Sequence, residues 1–435
     1  MNLNTQRYQN NMADFTAKER MIATFLSNLP WLKKIAKNIY VKINAIIYRK
    51  PYKELILDSR IECIKSVCSS GLKSEVFFGY YDKCCDMDNK VIYHQNDYSS
   101  TKKPSPFEPC NLFVKNLNDG QVVKIDSTSA YNWQQGCRIH WVSGDLILYN
   151  VYNDKSEQYN AILWSYSKRQ IIKQYSLPVQ ESKNDNYFLS INYRRLWNMR
   201  PDYCYRCIPK MSTKELSNMD NDGIWKVDMG SGRSQLIHTL SDVINVDFRD
   251  QFLHSNHNVN HLMISPDGSR FIFVHRNYEH KKRFDRLMLS DFKNIKVLID
   301  EHYVSHCCWI DNTTILGYLM SNGKKGFYFI NVDTLMVKKC DAMSNINTGD
   351  GHPSFNGEMV VFDTYPNKSR LQRLYLYDLK KDILYPLIEV YQSTKYKDET
   401  RCDLHPRFSK DGKKIYFDTV RNNHRELCWI NIDNF

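Results

Sequence analysis

Apolar residues in this chain gather in short runs set between polar turns. Phe271-Ile-Phe-Val, Ile315-Leu-Gly-Tyr, Met359-Val-Val-Phe and Ile415-Tyr-Phe each follow a turn rich in Asp, Asn, Ser or Gly. A histidine stands just ahead of every one of these turns: His261-Leu-Met-Ile-Ser-Pro-Asp-Gly, His306-Cys-Cys-Trp-Ile-Asp-Asn, His352-Pro-Ser-Phe-Asn-Gly and His405-Pro-Arg-Phe-Ser-Lys-Asp-Gly. The histidines are 45, 46 and 53 residues apart. Short runs of β-branched and aromatic residues bounded by turn formers read as strands. A strand–turn–strand phrase recurring at this period predicts an all-β fold, a β-propeller. Equivalent positions of successive blades lie around one axis, so the four imidazoles are expected to converge.

The repeat extends backward in weaker form. Gly79-Tyr-Tyr-Asp82-Lys-Cys-Cys-Asp-Met-Asp-Asn, followed by Val91-Ile-Tyr, fits the frame with Asp82 at the histidine position. Gly136-Cys-Arg138-Ile-His140-Trp-Val-Ser-Gly-Asp, followed by Leu146-Ile-Leu-Tyr, fits with Arg138 or His140 there. A further blade is expected to begin at Tyr193-Arg194-Arg195-Leu-Trp-Asn-Met-Arg200, with Ile224-Trp-Lys-Val-Asp as a later strand. The count is seven blades across residues 61–435; six or eight also fit, because the third blade is read mostly from the gap.

Residues 1–60 follow a different pattern. Leu32, Ile35, Ile39, Ile43 and Ile46 recur at helical spacing, and Pro30 is suited to the first helical position. The result is a short basic α-helical segment ahead of the propeller, with Lys33, Lys34 and Lys37 off the apolar stripe and a second candidate helix over residues 13–26. These sixty residues hold eleven Lys/Arg against four Asp/Glu, a net +7 of the chain's formal +12. A basic amphipathic helix edged by Trp31 fits an anionic membrane surface. It equally fits a stripe packed on the side of the propeller, although the concentration of charge favours membrane or partner contact.

Composition narrows the field. At 42% hydrophobic with 29 tyrosines, the chain has the material to fill the spaces between blades. No segment approaches the ~18 consecutive apolar residues of a membrane span, and the polar start Met1-Asn-Leu-Asn-Thr-Gln does not read as a secretory leader. Thirteen cysteines, an odd number without a framework, point to a reducing compartment and free thiols. Cys204-Tyr-Arg-Cys207 is a lone C-x-x-C, a weak basis for zinc or redox chemistry. A cytoplasmic protein, peripheral at the inner face of a membrane, is therefore expected. No nucleic-acid module is visible, so no nucleic-acid partner is expected.

Four phrases carry a family resemblance: Arg401-Cys-Asp-Leu-His-Pro-Arg-Phe-Ser-Lys-Asp-Gly, Asp350-Gly-His-Pro-Ser-Phe, His261-Leu-Met-Ile-Ser-Pro-Asp-Gly with its following His275-Arg276, and Ser305-His306-Cys-Cys-Trp309. They resemble TolB-type and oligogalacturonate-lyase-type propellers. The S-P-D-G turn is common to many propellers, whereas histidines before it in several blades are particular to the lyase-like group. The likeness covers residues 258–435, fades through 61–257 and is absent from the basic N-terminus. It implies a divalent cation, often manganese, held on the axis by histidines and an amide side chain, and β-elimination on uronate sugars. Asp82 and Arg138 at the repeat position depart from an all-histidine pattern.

Elimination from a uronate removes the proton α to a carboxylate and expels the glycosidic oxygen from the β carbon. The carboxylate must be neutralised by a cation or by Arg, a base must reach the carbon, and an acid must reach the leaving oxygen. His306, His352 and His405 are the expected metal ligands, and His261 is the expected base. Arg138, Arg194, Arg200 and Arg276 are candidate carboxylate clamps. Tyr81 and Tyr193 are candidate proton donors or sugar contacts, while Asp82 would complete a cation site or orient a histidine. Asp363 and Asp418 read as turn caps that also suit a supporting place behind the histidines. The expected substrate is an acidic oligo- or polysaccharide. Two alternatives stay open: a membrane-associated component of surface polysaccharide biosynthesis, and a non-catalytic propeller scaffold.

Overall fold

The computed structural model describes residues 30–68, 73–80, 83–279, 282–346 and 349–435, with backbone alone for 30–34. Tyr81, Asp82 and the candidate helix over 13–26 lie outside the described residues. Within them, seven antiparallel sheets follow one another as the blades of a propeller. Blade 1 holds Glu75–Phe77, Lys90–Asn96, Cys110–Asn116 and Val122–Thr128. Blade 2 holds His140–Trp141, Leu146–Asn153, Gln158–Ser165 and Gln170–Tyr175. Blade 3 is formed by Glu181–Lys183, Tyr187–Ile191, Gly223–Asp228 and Ser234–Thr239. Blades 4 and 5 begin with Asn256–Ile264 and Val304–Trp309, and blades 6 and 7 with Ser354–Phe355 and Arg407–Phe408.

The turn after each inner strand is built by side chains placed at fixed offsets. In Ser265-Pro-Asp-Gly268 the Ser265 hydroxyl donates to Asp267, and the Gly268 N–H returns to the Ser265 carbonyl at 2.9 Å. Ser409-Lys-Asp-Gly412 repeats both bonds. The glycines sit at φ +78° and +74°, a left-handed conformation that a Cβ penalises. The D-G dipeptide is therefore a backbone requirement of these two turns.

Apolar faces are buried between neighbouring blades. Ile92, Val114 and Ile147 share one cluster with Tyr416 and Leu427, joining blades 7, 1 and 2. Ile272, Trp309, Leu316, Phe327 and Phe362 share another across blades 4 to 6. Each fully buried side chain of this size contributes ~1.5–3 kcal/mol, so the ring is held by side chains scattered over the whole chain.

The ring is closed by its own beginning. Lys65–Ser66 pairs with Glu426–Asn431, Lys65 opposite Trp429 and Ser66 opposite Cys428, and the Val67 N–H bonds the Leu427 carbonyl at 2.9 Å. Blade 7 thus takes its outer strand from the start of the propeller and its other three from the end. Glu54–Ile56 then covers the edge of blade 6 by pairing with Ile388–Val390. Covering these strand edges removes sites for unwanted pairing.

Two elements differ from the sequence reading. Blade 3 begins at Glu181, not at Tyr193. Tyr193–Met199 is a helix inserted between the second and third strands of that blade, and the Asn192 side chain caps it by accepting from the Arg194 and Arg195 N–H groups. The helix Pro30–Ile47, hereafter α1, forms as expected, yet its isoleucine stripe points away from the propeller. All thirteen cysteines are free. Burial pushes the thiols of Cys204 and Cys207 up to about 12, and among the described residues neither belongs to a cluster of metal-ligating side chains.

Candidate active site on the propeller axis

Four inner strands deliver His261, His306, His352 and His405 to the axis. Backbone irregularities aim them there. The pairing of blade 4 shifts register between Asn260 and Met263, and that of blade 5 between Val304 and Cys307, so His261 and His306 each lie in a bulge. His261 and His405 adopt φ +51° and +46°, as Arg138 does at +59° in blade 2. Non-glycine residues are rarely found there, and their clustering around one axis marks a site that the surrounding packing enforces.

At the centre stands Tyr80. Its ring centroid lies 6.2, 5.1, 4.9 and 5.4 Å from those of His261, His306, His352 and His405. The His306 and His352 rings are 4.0 Å apart, and those of His352 and His405 are 4.4 Å apart. Tyr80 is held by its main chain: its N–H bonds the Gln134 carbonyl at 2.7 Å, and its carbonyl accepts from Arg138 at 3.4 Å.

Carboxylates behind the ring give each histidine a different character. Asp363 Oδ1 lies 2.8 Å from His352 Nδ1 and accepts the His352 N–H, while Oδ2 accepts the His405 N–H at 3.1 Å. Burial, the largest single influence, lowers the pKa of His352, but the charge and hydrogen bond of Asp363 together with the charges of Asp403 and Asp350 outweigh it and raise the value. His306 Nδ1 lies 3.2 Å from Asp350, which also accepts from the Ser305 and Tyr365 hydroxyls. Burial, then the neighbouring His352, keeps His306 low. His405 is held well below its usual range by burial and then by His352. Its Nδ1 is buried without a hydrogen-bond partner among the described residues.

His261 is the most open of the four. No hydrogen bond engages its ring among the described residues, and burial, Arg276, His306, Arg200 and Arg138 in that order depress its pKa. Three of the four expected clamps thus surround His261. Each already has an acid partner: Arg138 has Glu181 at 3.4 Å, Arg200 has Asp202 at 3.1 Å, and Arg276 has Asp285 at 2.6 Å. Arg194 lies elsewhere, bonded to the Pro209 carbonyl and to Glu215. The Tyr193 hydroxyl is taken up by the Val179 carbonyl and the Gln180 side chain, and burial pushes it up to about 12. His94 and His140 bridge neighbouring blades through backbone and hydroxyl partners. Asp418 accepts the Phe78 and Gly79 N–H groups and so fixes the turn that carries Tyr80.

Among the described residues, ligand atoms of His352, Asp403 and His405 lie within 4.8 Å of one another and are buried. Two imidazoles, one of them with the orphaned His405 Nδ1, and one carboxylate form a donor set that suits a divalent cation. His306, expected as a ligand, lies beside this triplet rather than in it. Asp403 also receives a bidentate Arg401 at 2.6 Å on both oxygens, and Arg401 stacks over Tyr365. Asp350, Tyr80, Tyr365, Arg401 and Asp403 were not singled out from sequence. A repeated D-x-H-P, Asp350-Gly-His352-Pro and Asp403-Leu-His405-Pro, is the signal that marks the two carboxylates.

Fold and axis together define a seven-bladed propeller with a histidine-lined centre. Solved structures of similar fold include the following. An oligogalacturonate lyase in complex with manganese matches with a TM-score of 0.58 at 14% identity, over 88% of this chain and 98% of that one. An oligogalacturonate lyase from Vibrio parahaemolyticus matches with a TM-score of 0.57 at 15% identity, over the same shares. TolB from Acinetobacter baumannii matches at 0.39 and 14% identity, over 71% of this chain and 65% of that one. No protein-family model matches the chain, and no curated protein does.

Proposed function

We propose that this propeller acts on an acidic, uronate-type glycan by β-elimination. The observation that carries the reading is an unbonded imidazole, His261, surrounded by arginines and set beside the His352–Asp403–His405 triplet. The fold shared with oligogalacturonate lyases supports it. A divalent cation such as manganese, held by His352, Asp403 and His405, would neutralise the substrate carboxylate and so acidify the α proton. Arg200 and Arg276, with Arg138 deeper on the axis, bind and orient the same carboxylate. Their acid partners keep the guanidinium groups fixed before substrate arrives. His261 is neutral at neutral pH and accepts the α proton at a free ring nitrogen. Tyr81 is the candidate donor to the leaving oxygen. Tyr80, whose ring touches all four imidazoles, forms the floor beneath the sugar and excludes water there.

Incubation with oligogalacturonides and other polyuronates in the presence of manganese tests this reading. The expected product is a conjugated unsaturated uronide, seen by its ultraviolet absorbance and by mass. Absence of that product from every uronate tried, with the cation bound, rejects it. The outward apolar face of α1 favours a second reading, a part in assembling surface polysaccharide at a membrane.

A further inference from the structure

Helix α1 turns its apolar face to solvent. Ile35, Ile39, Ile43 and Ile46 are 50%, 53%, 49% and 77% exposed, and Ile47 is 68% exposed. The buried position is on the opposite side, at Asn44, whose amide donates to the Tyr40 carbonyl at 2.8 Å. The helix therefore seats a polar side near the protein and displays an isoleucine stripe, the reverse of a helix that packs on a core. Isolated exposed apolar residues are ordinary, but a continuous stripe along four turns marks a contact surface.

Charge identifies what the stripe meets. Residues 30–53 hold seven Lys/Arg and no Asp or Glu, and Lys37, Lys42, Arg49, Lys50 and Lys53 are exposed. The preceding residues 1–29, with three Lys/Arg and two Asp/Glu, do not supply the opposite charge. Tyr48, exposed, stands just past the C-terminal end of the helix, where an amphipathic ring suits a headgroup layer. Among the described residues, no helix is long and apolar enough to cross a membrane, so the segment lies along a surface rather than through it.

From these observations we infer that α1 docks the protein on an anionic lipid surface, isoleucines in the acyl boundary and lysines among the headgroups. The docking is rigidly tied to the propeller. Tyr52 bonds Glu389 at 2.8 Å, Glu54 pairs with Arg421, and Glu54–Ile56 joins the sheet of blade 6. Lys368 lies over the Tyr48 ring at 5.6 Å, while Tyr365 of the same loop bonds Asp350 beside the axial histidines. The loop that meets α1 is thus also the one that reaches the residues around the axis.

Flotation of the full-length protein with vesicles tests this, using phosphatidylcholine alone, phosphatidylcholine with phosphatidylserine, and the Ile39→Asp/Ile43→Asp variant. Both positions are exposed, and an unchanged melting temperature verifies that the variant folds. Wild type is expected to float with the anionic vesicles and to be released as salt rises. It should stay behind with the neutral vesicles, and the variant should partition at least about tenfold less onto the anionic ones. Wild type failing to float with anionic vesicles overturns the inference, as does a variant that floats equally well. A wild-type dimer seen by light scattering and abolished in the variant, without vesicle binding, would assign the face to a second copy instead.

Discussion

Asp363 holds two histidines from adjacent blades at once: Oδ1 is 2.8 Å from His352 Nδ1, and Oδ2 is 3.1 Å from the His405 main-chain nitrogen. One carboxylate at the end of the strand Met359–Asp363 therefore sets both the tautomer of one imidazole and the backbone position of the next. Asp363→Asn keeps the shape but replaces one acceptor oxygen with a donor. Outer partners of metal-bound histidines typically control affinity by 10–100-fold. Manganese titration by calorimetry should show a loss of about that size, with the melting temperature lowered by only a few degrees.

His261 is separated from the other three histidines by role. His261→Gln preserves the ring's size and polarity but removes the basic nitrogen. A fall in kcat of about 10²–10⁴ is expected on a uronate substrate, with manganese affinity unchanged. A parallel loss of manganese affinity would place His261 among the ligands.

Arg194 serves as an internal comparison for the arginines. Its guanidinium binds Pro209 and Glu215 away from the axis, whereas Arg276 reaches Asp285 and Asn260 beside His261. Arg276→Lys should raise KM or lower kcat at least about tenfold, since Lys cannot reproduce the fork. Arg194→Lys should leave both within about twofold.

Acid should destabilise the propeller through its buried neutral histidines. His94 donates to the Phe77 carbonyl and accepts the Cys137 N–H, and burial, then Arg407, pushes it down to about 3. His257 is pushed down to about 4 by burial, against the Phe252 carbonyl and with smaller contributions from Arg286 and Arg195. Both pKa values are lower in the folded chain than in the unfolded one. The unfolded state takes up protons first, so stability is full above ~6.5 and falls by ~1.4 kcal/mol per pH unit per histidine below it. Urea melts at pH 7 and pH 5 should show the wild type losing ~2 kcal/mol more across that interval than His94→Gln loses.

Much of this architecture was legible because a propeller repeats. The turns at Asp267-Gly268 and Asp411-Gly412 need the same residues for the same backbone reason; His261 and His405 stand at one offset from them, and His306 and His352 stand just ahead of the corresponding turns. Blade 3 was obscured by its insertion. Tyr193–Met199 lies where the repeat interval calls for a blade to begin, and only the Asn192 cap reveals a helix. Tyr80 was hidden for a different reason. Its place on the axis depends on Gly79 at φ +98°, packed so tightly on Gln134 and Gln135 that a Cβ would come within 2.8 Å of backbone, a contact made across blades. Asp350 and Asp403 were present in a repeated phrase, but only the fold pairs Asp350 with His306 of the neighbouring blade and sets Asp403 beside His352 and His405.

The metal content of the purified protein tests the central claim most directly. Elemental analysis of wild type loaded with manganese and desalted, beside the His352→Ala/His405→Ala double variant, should find near one equivalent of metal in the first and none in the second. Metal-free wild type, or equal metal in both proteins, would contradict an axial cation site and with it the proposed elimination chemistry.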